Sequence, residues 1–173
     1  MSETVERLPP RGMLTLRGDL TALGRVATAV TGLGMPEARR ILFDGERAVA
    51  WMAPDEVMLM LPVQEVAAAL ETARAGLTKV PHLLADVSDA RVVFRVAGPG
   101  AREVLAKGMP VDLAPDRFAE GEIRRSRLGE VAAAVWAREG AIEVMCFRSV
   151  ADFVEDWLRH AARRGSLPGV LTV

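Results

Sequence analysis

The chain has 173 residues, 22 Lys and Arg against 23 Asp and Glu, and a formal net charge of -1. Half of the residues are hydrophobic and 26% are charged, which suits a folded chain with a real core and excludes a disordered segment or a strongly basic nucleic-acid binder. The lone Cys146 excludes an internal disulfide. The polar start MSETVERLPPRG lacks the apolar core of a signal peptide, and no run nears the roughly 18 apolar residues of a membrane helix, so a cytoplasmic setting is expected.

Residues 1–12 read as an N-terminal tail. GMLTLRGDL then reads as a strand with Leu14 and Leu16 on one face. Asp19 is placed to cap a helix carrying Leu20, Leu23, Ala27 and Val30 at helical spacing, which Gly32 and Gly34 end. Turn signals at Asp44-Gly45 and Pro54-Asp55 divide the next stretch into strands at about 40–43, 47–53 and 56–61. Val63, Val66, Ala67 and Leu70 mark an amphipathic helix ending near Gly76.

The order then repeats. Val92, Phe94 and Val96 share one face of a strand, Gly98 turns the chain, and Ala101, Val104 and Leu105 open a helix that stops at Gly108. Turns at Gly129 and Glu139-Gly140 separate further strands. A final helix presents Val150, Phe153, Val154, Trp157, Leu158 and Ala161 as one stripe, with Ser149 and Asp152 spaced as a capping box. EVMLMLPVQEVAAAL from Glu56 aligns without gaps on EVMCFRSVADFVEDW from Glu143, placing Val63 on Val150 and Leu70 on Trp157; with two residues of slack in the turn, Trp51 falls on Trp136, and Gly18 falls near Gly98. The expected fold is therefore α+β, an internally duplicated β-α-β-β-β-α unit with helices covering one face of each sheet. A single domain over 13–165 is expected, built from halves at about 13–79 and 86–165, followed by a tail at 166–173.

Gly98-Pro99-Gly100, between a strand and a helix, invites comparison with a phosphate cradle. A dinucleotide fingerprint needs a third glycine where Glu103 stands, and that carboxylate would repel a pyrophosphate; no P-loop lysine follows. A tight corner is the better reading. His82 and His160 lack metal-ligand spacing, and Cys146 lies in an apolar strand without a neighbouring base. Asp86 and Asp89 flank Ser88 and suit turn and cap roles better than acid catalysis. No catalytic, cofactor-binding or metal-ligating set emerges. The eight methionines read mainly as core, although Met-rich surfaces also adapt to partners. Two basic clusters remain, Arg124-Arg125-Ser126-Arg127 and Arg159 with Arg163 and Arg164. They are solvated charge or, as arginine often is, part of a partner interface. Arg124, Arg125 and Arg127 are the candidates for orienting a partner.

DVSDARVVFRVAGPGAREVLAKGMPVDL resembles a D-x-S…v-x-G-p-x-A-x-x-x-L stretch of the glycine cleavage aminomethyltransferase, the T-protein. A closer resemblance is to the gamma subunit of heterotetrameric sarcosine oxidase. It rests on W-x-x-P-D-E at Trp51 to Glu56, D-V-S-D-A-R at Asp86 to Arg91 and the ending FRSVADFVEDWLRHAA, and it spans most of residues 10–165. The resemblance implies a folate-binding-domain fold and a non-catalytic subunit. Its complex would oxidatively demethylate sarcosine to glycine, releasing hydrogen peroxide and, with tetrahydrofolate, methylenetetrahydrofolate. It implies alpha, beta and delta partner subunits that hold FAD, FMN, NAD, tetrahydrofolate and zinc, and no cofactor in this chain. A stand-alone folate-binding or one-carbon-transfer protein is the alternative.

Overall fold

A computed structural model describes residues 3–171. In chain order the strands are β1 (Thr4–Arg7), β2 (Gly12–Gly18), β3 (Ile41–Asp44), β4 (Arg47–Ala53), β5 (Glu56–Leu61), β6 (His82–Asp86), β7 (Arg91–Ala97), β8 (Ile123–Leu128), β9 (Val131–Arg138) and β10 (Ala141–Phe147). The helices are α1 (Leu20–Thr31), α2 (Val66–Leu77), α3 (Ala101–Ala106) and α4 (Ala151–Ala161). The chain divides into two compact units, one of residues 10–89 and one of residues 1–9 with 90–173. Each holds a five-stranded antiparallel sheet, ordered β3-β4-β5-β2-β6 in the first and β8-β9-β10-β7-β1 in the second.

In the first unit, Leu14 and Leu16 of β2, Val49 of β4, and Val57, Leu59 and Leu61 of β5 pack under α1 and α2. Asp19 accepts the Ala22 amide at 2.9 Å, and Gly32 closes α1 in the left-handed conformation at φ 79°. Leu20, expected on the buried stripe, is exposed because it opens the helix before the inward face begins at Ala22 and Leu23. The buried face of α2 is Val66, Ala69, Ala73 and Leu77; Val63 sits in a preceding 3-10 turn and is exposed. As expected, α2 ends beside Gly76, its last-but-one residue. A Cβ there would stand 2.7 Å from Cγ2 of Val26, so the missing side chain lets α1 and α2 approach.

In the second unit, Val92, Phe94 and Val96 of β7 and Ile142, Val144 and Cys146 of β10 pack under α3 and α4 with Leu113 and Phe118 of the intervening loop. Ala151, Val154, Leu158 and Ala161 face inward from α4, whereas Phe153 is exposed. The proposed capping box does not form: α4 follows a 3-10 turn at Arg148–Val150 with no side-chain cap, and Asp152 instead accepts from Arg7 at 3.2 Å.

The repeat is real in element order but not in the ungapped register. Leu14 lies opposite Leu59, and Phe94 lies opposite Val144. With β2 laid on β7 so that Gly18 meets Gly98, Leu59 therefore falls on Val144 and not on Cys146. The same spacing lays Val66, Ala69 and Ala73 on Ala151, Val154 and Leu158, the inward residues of both helices. The shared Glu-Val-Met is thus out of structural register. Trp136 lies opposite Glu143 and is fully buried, so its counterpart is Ala50, opposite Met58, rather than Trp51, which lies one position further along opposite Val57 and points to the other face of the sheet.

Residues 4–7, expected as tail, form β1 and pair with β7, Thr4 opposite Ala97 and Arg7 opposite Phe94. Residues 166–171 of the expected second tail are hydrogen-bonded to the second unit. Residues 1, 2, 172 and 173 lie outside the described residues. Among the described residues no helix is long and apolar enough to cross a membrane.

Candidate functional site

The glycine corner decides whether the second unit offers a ligand cradle. Gly98 turns β7 out of the sheet at φ 121°, and α3 starts after Gly100. The Gly100 amide already donates to Oε1 of Glu3 at 3.0 Å. A Cβ on Gly100 would stand 2.3 Å from Cδ1 of Leu167 and 2.7 Å from Oε1 of Glu3; one on Gly98 would stand 3.1 Å from Cα of Glu3. The glycines make room for the chain's own segments, and the carboxylate of Glu3 sits where an anionic ligand would need to bind.

Glu103 is the second occupant of this corner. It is 2% exposed, and its carboxylate accepts the amides of Leu171 at 2.6 Å and Gly169 at 2.9 Å. The Leu171 amide, with those of Gly169 and Val170 and the charge of Lys107, holds the carboxyl below the usual range against the opposing effect of burial. Lys107 in turn donates to the Ala161 carbonyl at 2.6 Å and to Oγ of Ser166 at 2.8 Å.

A cleft of about 440 Å³ opens beside Gly98 and Pro99, with Arg102, Glu120 and the Gly140 turn on its walls. Arg102 spends its guanidinium on the carbonyls of Leu113 and Phe118, at 2.8 and 2.9 Å. Burial lowers its pKa and Glu120 opposes that shift. Glu120 accepts the Glu139 amide. The two charged side chains of the cleft therefore fasten loops, the α3–β8 connection in one case and the β9–β10 turn in the other.

The remaining titratable candidates occupy structural positions. Cys146 is buried, and desolvation pushes its thiol up to about 11 despite Arg7 and Arg91, so it is not a thiolate at neutral pH. Nδ1 of His82 lies 2.9 Å from the Val80 carbonyl, and His160 lies in the last turn of α4. No group of three or more His, Cys, Asp or Glu among the described residues could hold a metal. Asp86 accepts both the amide and the hydroxyl of Ser88, which are turn contacts, and the Ser88 oxygen accepts the Met13 amide at 2.9 Å, tying that turn to β2.

β8 separates the three candidate arginines, because neighbouring residues on a strand face opposite sides. Arg124 shares the helix-covered side with Leu128; it pairs with Glu122 at 3.2 Å, and its guanidinium lies 5.6 Å from the centre of the Phe118 ring. Arg125 and Arg127 point to the other side and are exposed. Arg159 pairs with Glu155 at 2.8 Å, while Arg163 and Arg164 are exposed in the turn after α4.

The second unit also holds a buried polar group that sequence patterns missed. Glu143, 2% exposed in the middle of β10, accepts from Nη1 of Arg95 at 3.0 Å and from Nε1 of Trp136 at 2.8 Å. The cross-strand pairs Glu143–Arg95 and Glu143–Trp136 set it on the side of the sheet away from the helices. Exposed apolar side chains gather elsewhere: Phe153 at 56% beside half-buried Val150 and Trp157, Phe147 with the Arg91 guanidinium 3.7 Å from its ring centre, and Val170 at 77%. Phe153 was legible as part of an apolar stripe too wide for one core face; Val170 carried no signal.

Residues 17–164 match the family described as SoxG, sarcosine oxidase, gamma subunit. Among curated proteins, the chain is 31% identical over 152 residues to the sarcosine oxidase subunit gamma of Corynebacterium sp. (strain U-96), covering 86% of this chain and 73% of that one. Among solved structures, it superposes with a TM-score of 0.83 and 28% identity on a chain of the heterotetrameric sarcosine oxidase from Corynebacterium sp. U-96 in complex with pyrrole 2-carboxylate, covering 95% of this chain and 85% of that one. The glycine cleavage system aminomethyltransferase T from Bartonella henselae shares the fold at a TM-score of 0.64 and 12% identity, over 91% of this chain and 45% of that one.

Proposed function

Because this chain belongs to the sarcosine oxidase gamma subunit family, we propose that it serves as the gamma-type subunit of a heterotetrameric sarcosine oxidase, bracing its partners without a reaction centre of its own. The observation that carries this is the likeness to a chain of the Corynebacterium heterotetramer over 95% of this chain. The alpha, beta and delta subunits then hold FAD, FMN, NAD, tetrahydrofolate and zinc, and the complex converts sarcosine to glycine in the cytoplasm.

The corner that most resembles a ligand site supports a bracing role. Glu3, Glu103 and Arg102 there hold backbone groups of the same chain. Bracing requires surface side chains that gain by leaving water. Phe153, Phe147 and Val170 supply apolar anchors, and a few such anchors carry most of the affinity of an interface. Arg125 and Arg127 set orientation, since exposed charge steers encounter more than it adds affinity. Arg124 is less suited, being half-buried and turned toward the Phe118 ring on the helix-covered side.

Co-expression of the candidate alpha, beta and delta chains with and without this chain tests the proposal. Loss of assembly and of sarcosine-dependent peroxide formation without it is expected. A complex that assembles and turns over equally well in its absence overturns the proposal. Titration of the purified chain with tetrahydrofolate tests the stand-alone alternative; no saturable micromolar binding is expected.

A further inference from the structure

Residues 166–171 are fastened at almost every position. Lys107 holds Oγ of Ser166, Leu167 packs against the core beside Gly100, Pro168 fixes its own φ, and the buried Glu103 carboxylate takes the amides of Gly169 and Leu171. Gly169 takes the left-handed conformation at φ 76°. Between the two clamped amides stands Val170, whose side chain is 77% exposed.

A buried carboxylate is an expensive anchor for a segment that only had to lie on the surface. Here it fixes the backbone on both sides of an apolar residue and leaves that residue in water. An interface anchor needs such an arrangement, because a side chain already fixed in its bound position loses little freedom on docking. The turn leading into the segment presents Arg163 and Arg164, both exposed and neither holding an ion pair among the described residues.

We propose that residues 167–171 form a preorganised hook whose Val170 enters an apolar pocket on a partner subunit, with carboxylates at the pocket rim meeting Arg163 and Arg164. The charge of the turn selects an acidic rim, and the side chain of Val170 selects a pocket of about one branched aliphatic group. The proposal rests on the gamma-subunit reading and adds the place and chemistry of one contact.

The test uses the full chain co-expressed with the other three subunits and recovered through a tag on one of them, with bound chain quantified at a series of salt concentrations. Val170→Asp is expected to lower retention about tenfold or more while leaving the thermal midpoint of the isolated chain unchanged, since the side chain is exposed. Val170→Ile is expected to bind like the parent. Arg163→Glu with Arg164→Glu is expected to weaken retention and flatten its salt dependence. If the parent chain is retained and Val170→Asp and the double arginine variant are retained equally well, the hook is overturned and the subunit reading stands. If the parent chain itself is not retained, the subunit reading fails and the hook falls with it.

Discussion

The two units share a strand order but solve the same packing problem with different chemistry on the sheet faces away from their helices. In the first unit, Met13, Ala48, Ala50, Met58 and Met60 are all buried there, an apolar surface of flexible and small side chains. At the equivalent positions the second unit puts Glu143 for Met58, Trp136 for Ala50 and Arg95 for Thr15, joined by directed hydrogen bonds. Methionine tolerates small shifts of its neighbours. A carboxylate held by a guanidinium and an indole does not, so the second unit is the more sharply specified. The helices differ as well: α1 runs 12 residues from a side-chain cap at Asp19, whereas α3 runs 6 residues from Gly100 with none.

Exchanging residues between the units tests this contrast. Glu143→Met copies the first unit into the second and strands Arg95 without its main partner; a loss of about 3 kcal/mol is expected in denaturant unfolding. Adding Arg95→Thr and Trp136→Ala to it makes the site uncharged and copies the first unit in full. If charge pairing is the issue, removing Arg95 restores part of the loss, and Trp136→Ala costs separately through its cavity. A smaller effect is expected at Gly108, where an added Cβ would stand 2.4 Å from Cζ2 of Trp157. Gly108→Ala should cost about 2 kcal/mol in the same assay, because a packed indole gives way poorly. In the first unit, Asp19→Ala removes the α1 cap and should cost about 1 kcal/mol.

The smallest expected effect is local and depends on pH. The Glu103 carboxyl titrates below the ordinary glutamate range when folded, so its clamp on Gly169 and Leu171 is fully present above that range. The clamp is lost as pH falls through the lower folded value. Amide exchange, corrected for its intrinsic pH dependence, should show protection of Gly169 and Leu171 fading on acidification while the β10 amides stay protected. Glu103→Gln should remove that pH dependence. Uniform protection down to acid unfolding would show that the clamp does not hold the segment.

Much of the fold was legible because its strands are short apolar runs and its turns carry glycine. β2, β4, β5 and β7 follow the apolar pattern, and the turns at Gly45, Gly129 and Gly140 all use φ values near +60°. β1 was not legible: Thr-Val-Glu-Arg is a charged edge strand with a single inward residue. β6, also an edge strand, follows Pro81 and carries no alternation strong enough to separate it from a loop. The register of the repeat was misjudged because a chance identity at Glu-Val-Met outweighed the positions that face the helices. The candidate arginines could have been sorted in advance, since strand alternation divides Arg124 from Arg125 and Arg127. The roles of Glu103 and Glu143 could not, because each depends on groups brought together from distant parts of the sequence.

The place of β1 has a consequence for biosynthesis. Its pairing partner β7 begins at Arg91, so β1 must wait after synthesis while the whole stretch of residues 10–89 is made. That stretch carries its own core and its own edge strand, β6, and can finish first. Closing a loop of that length costs little more than closing one half as long, about 0.6 kcal/mol per doubling, so the delay weighs on rate more than on final stability. Until β7 appears, the N-terminal strand is an unpaired edge, and its charges Glu6 and Arg7 keep it from pairing with another nascent chain.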